Sequence, residues 1–478
     1  MSDASVSNPH KTPKKVVGVA IAAAIGGFLF GFDSSVINGA VDAIEGEFSL
    51  GPVLLGFAVS CALLGAMVGA WIAGPFADRQ GRVRAMVLAS ALFTVSAIGS
   101  GFAFGVTDLI IWRFLGGVGV GMASVLAPAY IAEVSPAHSR GRLASLQQLA
   151  IVIGIFAALL TDAVIADAAG GAAQEGWFGL EAWRWMFLSE TIPAVIYGVL
   201  ALRLPESPRY LVAKSDYARA GKALAEVVGI TSKEGVEEKI AEIKATINVE
   251  TKQGLHTLVG GRAWLLPIVW VGILLSVFQQ FVGINVIFYY STTLWQSVGF
   301  AEEDSFAISV GTSILNIVVT ILAILLVDKI GRKPLLMIGS TGMSIGLLTM
   351  AISFAQAIVT PATEPGGEAT VSLPGAWGVI ALIGANLFVV AFGMSWGPVV
   401  WVLLGEIFPN RMRAVALSVA AAAQWLANFA ITQSFPSLAD ASLVLAYGIY
   451  AGFAILSLLF VWRFVEETNG KELESMRS

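Results

Sequence analysis

Twelve long apolar stretches, separated by short polar ones, run along most of this 478-residue chain. A helix needs about 20 mostly apolar residues to cross the hydrocarbon core of a bilayer, and each stretch is long enough to do so. The stretches begin near Val16, Val53, Val83, Leu109, Leu143, Trp183, Trp264, Ser305, Lys333, Trp377, Met412 and Leu443. The pattern predicts an all-α membrane protein with twelve spans, because a membrane barrel would show short alternating segments instead.

Composition agrees with this prediction. Charged residues make up 13% of the chain, about half of the roughly 25% that is usual in soluble domains. The 51 glycines suit helices that pack closely in lipid. The single cysteine, Cys61, excludes an intramolecular disulfide. The first apolar run is too long for a cleaved signal peptide, so we expect it to be the first spanning helix.

Charges between the stretches alternate in sign. One set of turns carries arginine and lysine, for example at Arg82, Arg140, Arg332 and Arg413. The other set carries acids, among which we count Asp42, Glu47, Asp162, Glu302 and Asp440. By the positive-inside rule the basic turns are cytoplasmic. We therefore expect a multi-pass protein of the cell membrane with both termini in the cytoplasm.

The two halves of the chain repeat each other. The run Asp78–Arg82 recurs as Asp328–Arg332, and Glu133 with Arg140 recurs as Glu406 with Arg413. Each copy occupies the same place relative to the spans of its half. We expect a six-helix bundle at 1–204, linker helices at 205–262 and a second bundle at 263–478. Two such bundles in one orientation are typical of transporters that bind their substrate between the halves.

Further motifs cover nearly the whole chain. They are Gly31-Phe32-Asp33, Asp78–Arg82, Arg113-x-x-x-Gly117-x-Gly119-x-Gly121, Pro128-x-Tyr130-x-x-Glu133-x-x-Pro136, Pro205–Arg209, Gln279-Gln280-x-x-Gly283-x-Asn285-x-x-x-Tyr289-Tyr290, Asp328–Arg332, Trp396-Gly397-Pro398-x-x-Trp401 and Gln424-Trp425-x-x-Asn428. Together they resemble the sugar porter family of the major facilitator superfamily, and most of all its bacterial glucose permeases and xylose–proton symporter. One departure is Glu466–Gly470, where the family usually has Pro-Glu-Thr-Lys-Gly.

The resemblance implies a sugar site rich in amides, which both donate and accept hydrogen bonds as sugar hydroxyls do. Its implied residues are Gln148, Gln279, Gln280, Asn285, Asn316, Trp401, Gln424 and Trp425. The residues themselves add a condition. Gln280 and Asn285 lie about 140° apart on a straight helix, so they share a cavity only if Gly283 permits a break. Gly397-Pro398, shortly before Trp401, is a second place where the sequence suggests a helix break. The alternative is that the amides only link helices.

Asp33 is an acid within the first span, and an ionisable residue inside a span by itself indicates a functional site. The resemblance implies that Asp33 binds a proton with Arg113 as its partner, which would make the protein a sugar–proton symporter. Two alternatives stay open. Asp33 and Arg113 form a structural ion pair in a proton-independent facilitator, or the chain is a sugar sensor on a transporter fold.

The resemblance also implies a conformational latch of charged residues at the basic ends of the helices. Its members are Arg82, Glu133, Arg140, Glu206, Arg332, Glu406 and Arg413. In the family such residues link the two halves by salt bridges while the outside is open. The alternative is a solvated rim that only sets topology, because exposed ion pairs contribute about 0–1 kcal/mol each.

The sequence has no Walker loop, no Cys/His cluster and no convincing nucleophile–base set. We therefore expect no enzyme activity, no metal, no other cofactor and no nucleic-acid partner. The expected partners are a monosaccharide, a proton and the lipid bilayer. Glucose is the favoured sugar, with xylose or galactose as alternatives.

Overall fold

A computed structural model of the chain describes residues 14–135, 140–228, 230, 232–250, 258–260, 265–360, 370–409 and 412–468. Within these ranges twelve helical segments are long and apolar enough to cross a membrane. Their first residues fall within a few positions of the predicted starts. The all-α membrane architecture is confirmed, whereas the division at residues 204 and 262 stays a prediction.

The first six spans form the first half of the molecule. A 3₁₀ turn at Ile37–Gly39 follows the first helix, and two helices in line form the sixth span. The helices of this half are α1 Lys14–Val36, α2 Val41–Phe48, α3 Pro52–Gln80, α4 Arg82–Gly101, α5 Val106–Val134, α6 Arg140–Ala169, α7 Ala182–Ser189 and α8 Thr191–Arg203.

Short helices connect the sixth and seventh spans, as the sequence predicts. They are α9 Pro208–Ala213, α10 Tyr217–Ala223 with a π turn at Leu224–Val228, and α11 Lys233–Glu250. The Ser207 and Asp216 side chains cap α9 and α10 by accepting backbone N–H groups, which fixes where these helices begin.

The last six spans form the second half. Two of these spans are broken into helix pairs. The helices are α12 Pro267–Phe281, α13 Ile284–Tyr289, α14 Ser291–Ser297, α15 Glu302–Ile330, α16 Arg332–Phe354, α17 Trp377–Met394, α18 Trp396–Ile407, α19 Arg413–Ala441 and α20 Leu443–Phe464. A small antiparallel pair, β1 Ile358–Thr360 and β2 Thr370–Ser372, lies between α16 and α17 with Val359 opposite Val371.

Glycines let α5 cross α3 at backbone contact. A Cβ atom on Gly117 or Gly121 would lie 1.9 or 2.0 Å from the carbonyl oxygen of Ala62 or Ala66. Only a residue without a side chain allows this approach, which is how helices associate tightly in lipid. The glycine motif after Arg113 therefore serves helix packing.

Alternate turns lie at opposite ends of the bundle. We call the end with the turns at 37–51, 102–105, 170–181, 298–301 and 355–376 the acidic end, and the other the basic end. Direct hydrogen bonds between described residues of the two halves lie towards the acidic end. Thr292 N–H donates to Asn38 Oδ1 at 3.1 Å, and Ser60 Oγ donates to Gln433 Oε1 at 3.0 Å. The halves are therefore closed on each other at the acidic end.

Candidate functional site

Four amide side chains of the second half form one hydrogen-bonded chain. Asn285 Nδ2 donates to Gln280 Oε1 at 2.6 Å, and Gln280 Nε2 donates to Gln279 Oε1 at 3.4 Å. Gln424 Nε2 reaches the same Gln279 oxygen at 2.6 Å from α19. The buried Gln424 Oε1 has no partner among the described residues. An acceptor held in this way is a group that a ligand hydroxyl can satisfy.

The break at Gly283 brings this chain together. Helix α12 ends at Phe281, α13 begins at Ile284, and Gly283 between them has φ +82°. This left-handed conformation favours glycine, because other L-residues would place Cβ against the following carbonyl. The break turns Asn285 towards Gln280, so the geometric condition derived from the sequence is met.

A second break lies opposite, between α17 and α18 at Ser395. Pro398 has no N–H and its ring crowds the carbonyl four residues earlier, that of Met394, where α17 ends. The break occurs two residues before the predicted Gly397-Pro398 position. Just after the break, the carbonyls of Trp396 and Gly397 in the first turn of α18 accept from Gln279 Nε2 at 2.8 and 3.3 Å.

The other four residues predicted to bind the sugar lie outside this amide chain. Trp425 packs against Phe30 of the first half with ring centroids 5.6 Å apart. The buried Asn316 lies against Gly393, near the Ser395 break. Trp401 is 44% exposed on α18, and Gln148 is half-buried on α6. No hydrogen bond between these four side chains and the amide chain is present in the described part of the structure.

Asp33 and Arg113 line one small cavity between α1, α3 and α5. Both side chains are buried, at 3% and 2% exposure. The Arg113 guanidinium lies over the Phe187 ring, with its Cζ atom 5.4 Å from the centroid, and its Nε has no partner among the described residues. The two groups therefore face a shared space, and they form no close ion pair in this conformation.

Two further residues near Asp33 were not predicted from the sequence. The Glu190 carboxyl, buried in the sixth span, interacts directly with Asp33 and faces Arg113. The Tyr289 side chain lines the cavity, and its hydroxyl lies near Ser34 of α1 and Asn428 of α19. An acid within a predicted span was a signal for Glu190, and the Tyr289-Tyr290 pair in a quoted motif was a signal for Tyr289.

Comparison with known proteins gives a consistent result. The family model described as "Sugar (and other) transporter" matches residues 19–478. This chain is a member of the sugar transporter family. It is 55% identical to the glucose transport protein of Synechocystis sp. over 98% of this chain and all of that protein. It is 36% identical to the D-xylose-proton symporter of Escherichia coli over 98% of this chain and 97% of that one.

Solved structures of the E. coli xylose transporter share the fold of this transporter. A partially occluded inward-open form matches with TM-score 0.80 and 34% identity, covering 96% of this chain and all of that one. A form bound to 6-bromo-6-deoxy-D-glucose matches with TM-score 0.76 and 35% identity, covering 97% and 98%. The major facilitator fold and the sugar porter relationship predicted from the motifs are confirmed.

At the basic end of this transporter, two charged clusters repeat each other. In the first half, Arg82 makes a two-pronged ion pair with Glu133, at 2.9 and 3.1 Å. In the second half, Arg332 pairs in the same way with Glu406, at 2.8 and 3.1 Å. The side-chain exposure is only 13% and 11% in the first pair and 9% and 26% in the second, so neither is a solvated rim.

A capping carboxylate completes each cluster. Glu206 accepts the N–H groups of Arg82 and Val83 at 2.9 and 3.3 Å, at the start of α4. Glu467 accepts those of Arg332 and Lys333 at 3.1 and 3.0 Å, at the start of α16. Glu467 was absent from the predicted latch, although it stands in the Glu466–Gly470 motif.

Two further arginines, Arg413 and Arg140, belong to the predicted latch. Arg413 Nε donates to the Phe408 carbonyl at 3.1 Å, while its Nη2 has no partner among described residues. The Arg140 side chain lies outside the described residues. The ion pairs Arg82–Glu133 and Arg332–Glu406 each join helices of one half, so a link between the halves stays a prediction for the other conformation.

The assignment of Asp162 to a turn was wrong. Asp162 lies within α6 rather than in a turn, and it is fully buried. The error arose because α6 continues to Ala169, beyond the point where its apolar pattern is interrupted by Thr161 and Asp162.

Titratable side chains also close the acidic end. The Asp42 carboxylate on α2 accepts from Gln296 Nε2 of the other half at 2.9 Å. Burial, together with the nearby charges of Glu45 and Glu302, raises the pKa of Asp42 from 3.8 to about 6, and the Thr293 hydroxyl opposes the shift. Glu302 accepts the Ala172 N–H at 2.9 Å, a further contact between the halves.

Proposed function

We propose that this protein carries a hexose, with glucose as first candidate, across the cell membrane by alternating access together with a proton. The observation that carries the proposal is the amide chain Asn285–Gln280–Gln279–Gln424, held at two helix breaks. Broken helices at membrane depth occur where they line a cavity. The named sugars of the relatives support a hexose or pentose substrate.

The sugar would bind between the halves against this chain. Its hydroxyls donate and accept, and the free Gln424 Oε1 offers an acceptor while the other amides offer donors after rearrangement. The Trp425 ring, which packs against Phe30 across the interface, offers an apolar face for the C–H side of the sugar. Gln148, Asn316 and Trp401 would join the site when the halves close around the substrate.

The proton would bind at the carboxyls of Asp33 and Glu190. Two buried carboxyls face the single guanidinium of Arg113. One proton shared by the two acids would leave the cluster without net charge, whereas two ionised carboxylates would leave a buried negative charge, which is costly. Opening the cavity to water removes that cost, so the two conformations would hold the proton differently.

Tyr289 offers a physical link between the proton and the sugar. Its hydroxyl lies beside Ser34, next to Asp33, and also beside Asn428, one helical turn after Gln424 on α19. A change of charge at Asp33 would therefore reach the helix that carries the sugar amides. This link supports symport over an isolated structural role for Asp33.

For orientation, we propose that the basic end and both termini are cytoplasmic, following the positive-inside rule. Closure at the acidic end then makes the present conformation inward-facing. The higher TM-score with the inward-open xylose transporter than with its sugar-bound form is consistent with this orientation.

The test is uptake of labelled glucose into proteoliposomes with and without an inward proton gradient. Accumulation above equilibrium is the expected result. Asp33→Asn is expected to abolish accumulation and to retain sugar counterflow, while the matched change of an exposed acid on α6, Asp167→Asn, leaves both intact. Equilibration without accumulation in the unmodified protein would establish a facilitator instead, and no counterflow with any monosaccharide would favour a sensor.

A further inference from the structure

A buried acid away from the proton cavity stands beside the closure of the acidic end. Asp162 on α6 is 0% exposed, and its Oδ2 accepts the backbone N–H of Gly39 at 3.3 Å. Its Oδ1 has no partner among described residues. An ionisable residue at this depth is costly and points to a functional role.

The residue that Asp162 holds belongs to a short turn. Ile37–Gly39 is a 3₁₀ turn between α1 and α2. A Cβ atom on Gly39 would lie 2.7 Å from Asp162 Cβ and 2.8 Å from Met186 Sδ. The turn is therefore pressed against α6, and the Asp162 carboxyl gives the Gly39 N–H a side-chain acceptor on that helix.

The same turn makes the contact between the halves. Thr292 of α14 donates its N–H to Asn38 Oδ1 at 3.1 Å and its Oγ1–H to the Asn38 carbonyl at 2.6 Å. Both Asn38 and Thr292 are buried. Thr292 thus bonds to both the backbone and the side chain of Asn38, the residue next to Gly39. A turn that moved by an ångström would lose both bonds.

We propose that Asp162 is a positioning residue for the contact between Asn38 and Thr292 that closes the acidic end. Its hydrogen bond to Gly39 keeps the neighbouring Asn38 where Thr292 can bond to it, and this stabilises the closed state. This inference rests on the alternating access of the proposed function. Opening the acidic end requires the Asn38–Thr292 bonds to break. Asp162 therefore biases the equilibrium between the two conformations without touching sugar or proton.

Distances across the acidic end test the proposal without requiring transport. Spin labels at Thr107 and Ala376, exposed positions of the two halves at the acidic end, report the separation in a Cys61→Ala background. Asp162→Ala is expected to shift the population towards long distances by about two- to tenfold, the factor that the net loss of one hydrogen bond gives. Asp162→Leu, which keeps the branched shape, is expected to behave in the same way if Asp162→Ala folds poorly.

Two controls separate positioning from a general loss of structure. Asp162→Asn keeps an oxygen for the Gly39 N–H and is expected to retain the short distances, as is Asp167→Ala on the same helix. Thr292→Val is expected to open the end as Asp162→Ala does, and the double variant to open it little further, because both act on one turn. Unchanged distances in both Asp162→Ala and Asp162→Leu, opening by Asp162→Asn, or additive effects would each overturn the proposal.

Discussion

Asn285 Nδ2 lies 2.6 Å from Gln280 Oε1, although five residues along a straight helix would separate the two side chains by about 140°. The break at Gly283 accounts for the contact. The amides of α12 and α13 consequently act as one hydrogen-bonded chain with Gln424 of α19, and the sugar site depends on the backbone conformation of one glycine.

Gly283→Ala is expected to reduce glucose affinity by at least about tenfold. The φ of +82° is unfavourable for alanine by about 1–2 kcal/mol, and the new Cβ would lie 2.7 Å from the Tyr450 ring. Equilibrium binding of labelled glucose measures the effect. Gly311→Ala in α15, where a Cβ meets nothing within 4 Å, is the matched control. Wild-type affinity in Gly283→Ala would contradict the role of the break.

Gln279→Ala is expected to cause the largest loss of glucose affinity among the amide variants, because Gln279 alone bonds to both Gln280 and Gln424 and to the α17–α18 break. Calorimetric titration with glucose measures it. The double variant with Gln424→Ala is expected to lose less than the sum of the single losses, since the pair shares one bond. Strict additivity would show that the two amides act independently.

Glu190→Gln is expected to abolish proton-driven accumulation of sugar while leaving counterflow measurable. The change removes one of the two carboxyls that face Arg113 and keeps the shape of the side chain. Uptake into proteoliposomes with an imposed proton gradient is the measurement. The matched control is Glu175→Gln at an exposed position of the acidic end. Accumulation at the wild-type level would restrict proton binding to Asp33.

Glu206→Ala and Glu467→Ala are each expected to lower stability by about 0.5–2 kcal/mol, the usual effect of losing a helix cap. Each carboxylate accepts the first two N–H groups of a spanning helix. Thermal unfolding in detergent, followed by tryptophan fluorescence, measures the losses, with Glu238→Ala on the exposed face of α11 as control. The two losses are expected to add because the clusters lie in separate halves.

Acid pH is expected to favour closure of the acidic end. Burial raises the pKa of Asp42 from 3.8 to about 6 in the closed form, and we expect the ordinary value once the end opens to water. The form with the higher pKa binds the proton more tightly, so it gains stability as the pH falls through about 6. Between pH 7 and pH 5 the ratio of closed to open molecules should rise about tenfold.

The Thr107–Ala376 label pair measures this shift, and Asp42→Asn is expected to remove the part that Asp42 contributes. Lowering the pH also protonates other carboxyls, which is why the variant and the unmodified protein are compared over the same pH range. An identical pH response in Asp42→Asn would assign the effect to another group.

Much of the fold followed from the sequence. The twelve spans, the charged turns and the repeated motifs are local patterns, and each depends on the length and polarity of one segment. The need for a break near Gly283 was also predictable, because helix geometry alone separates Gln280 from Asn285. The linker helices between α8 and α12 followed from composition and spacing.

Pairing between distant segments was not predictable from such patterns. The Glu190–Asp33 contact joins the sixth span to the first, and the Glu467 cap joins the end of the chain to α16. Neither pair has a spacing that marks it in the sequence. The burial of Asp162 was not predictable for the same reason, since it depends on the packing of the Gly39 turn on α6.

The sequence by itself determined that this protein spans a membrane twelve times, that its halves repeat, and that it belongs with the sugar porters. Those properties depend on hydrophobic length, charge sign and motif identity, which the chain carries locally. Only the tertiary structure decided which amides bond to one another, which acid accompanies Asp33 and which turn closes the acidic end. Contacts between helices depend on helix rotation and on approaches of a few ångströms, and these are set by packing across the whole bundle.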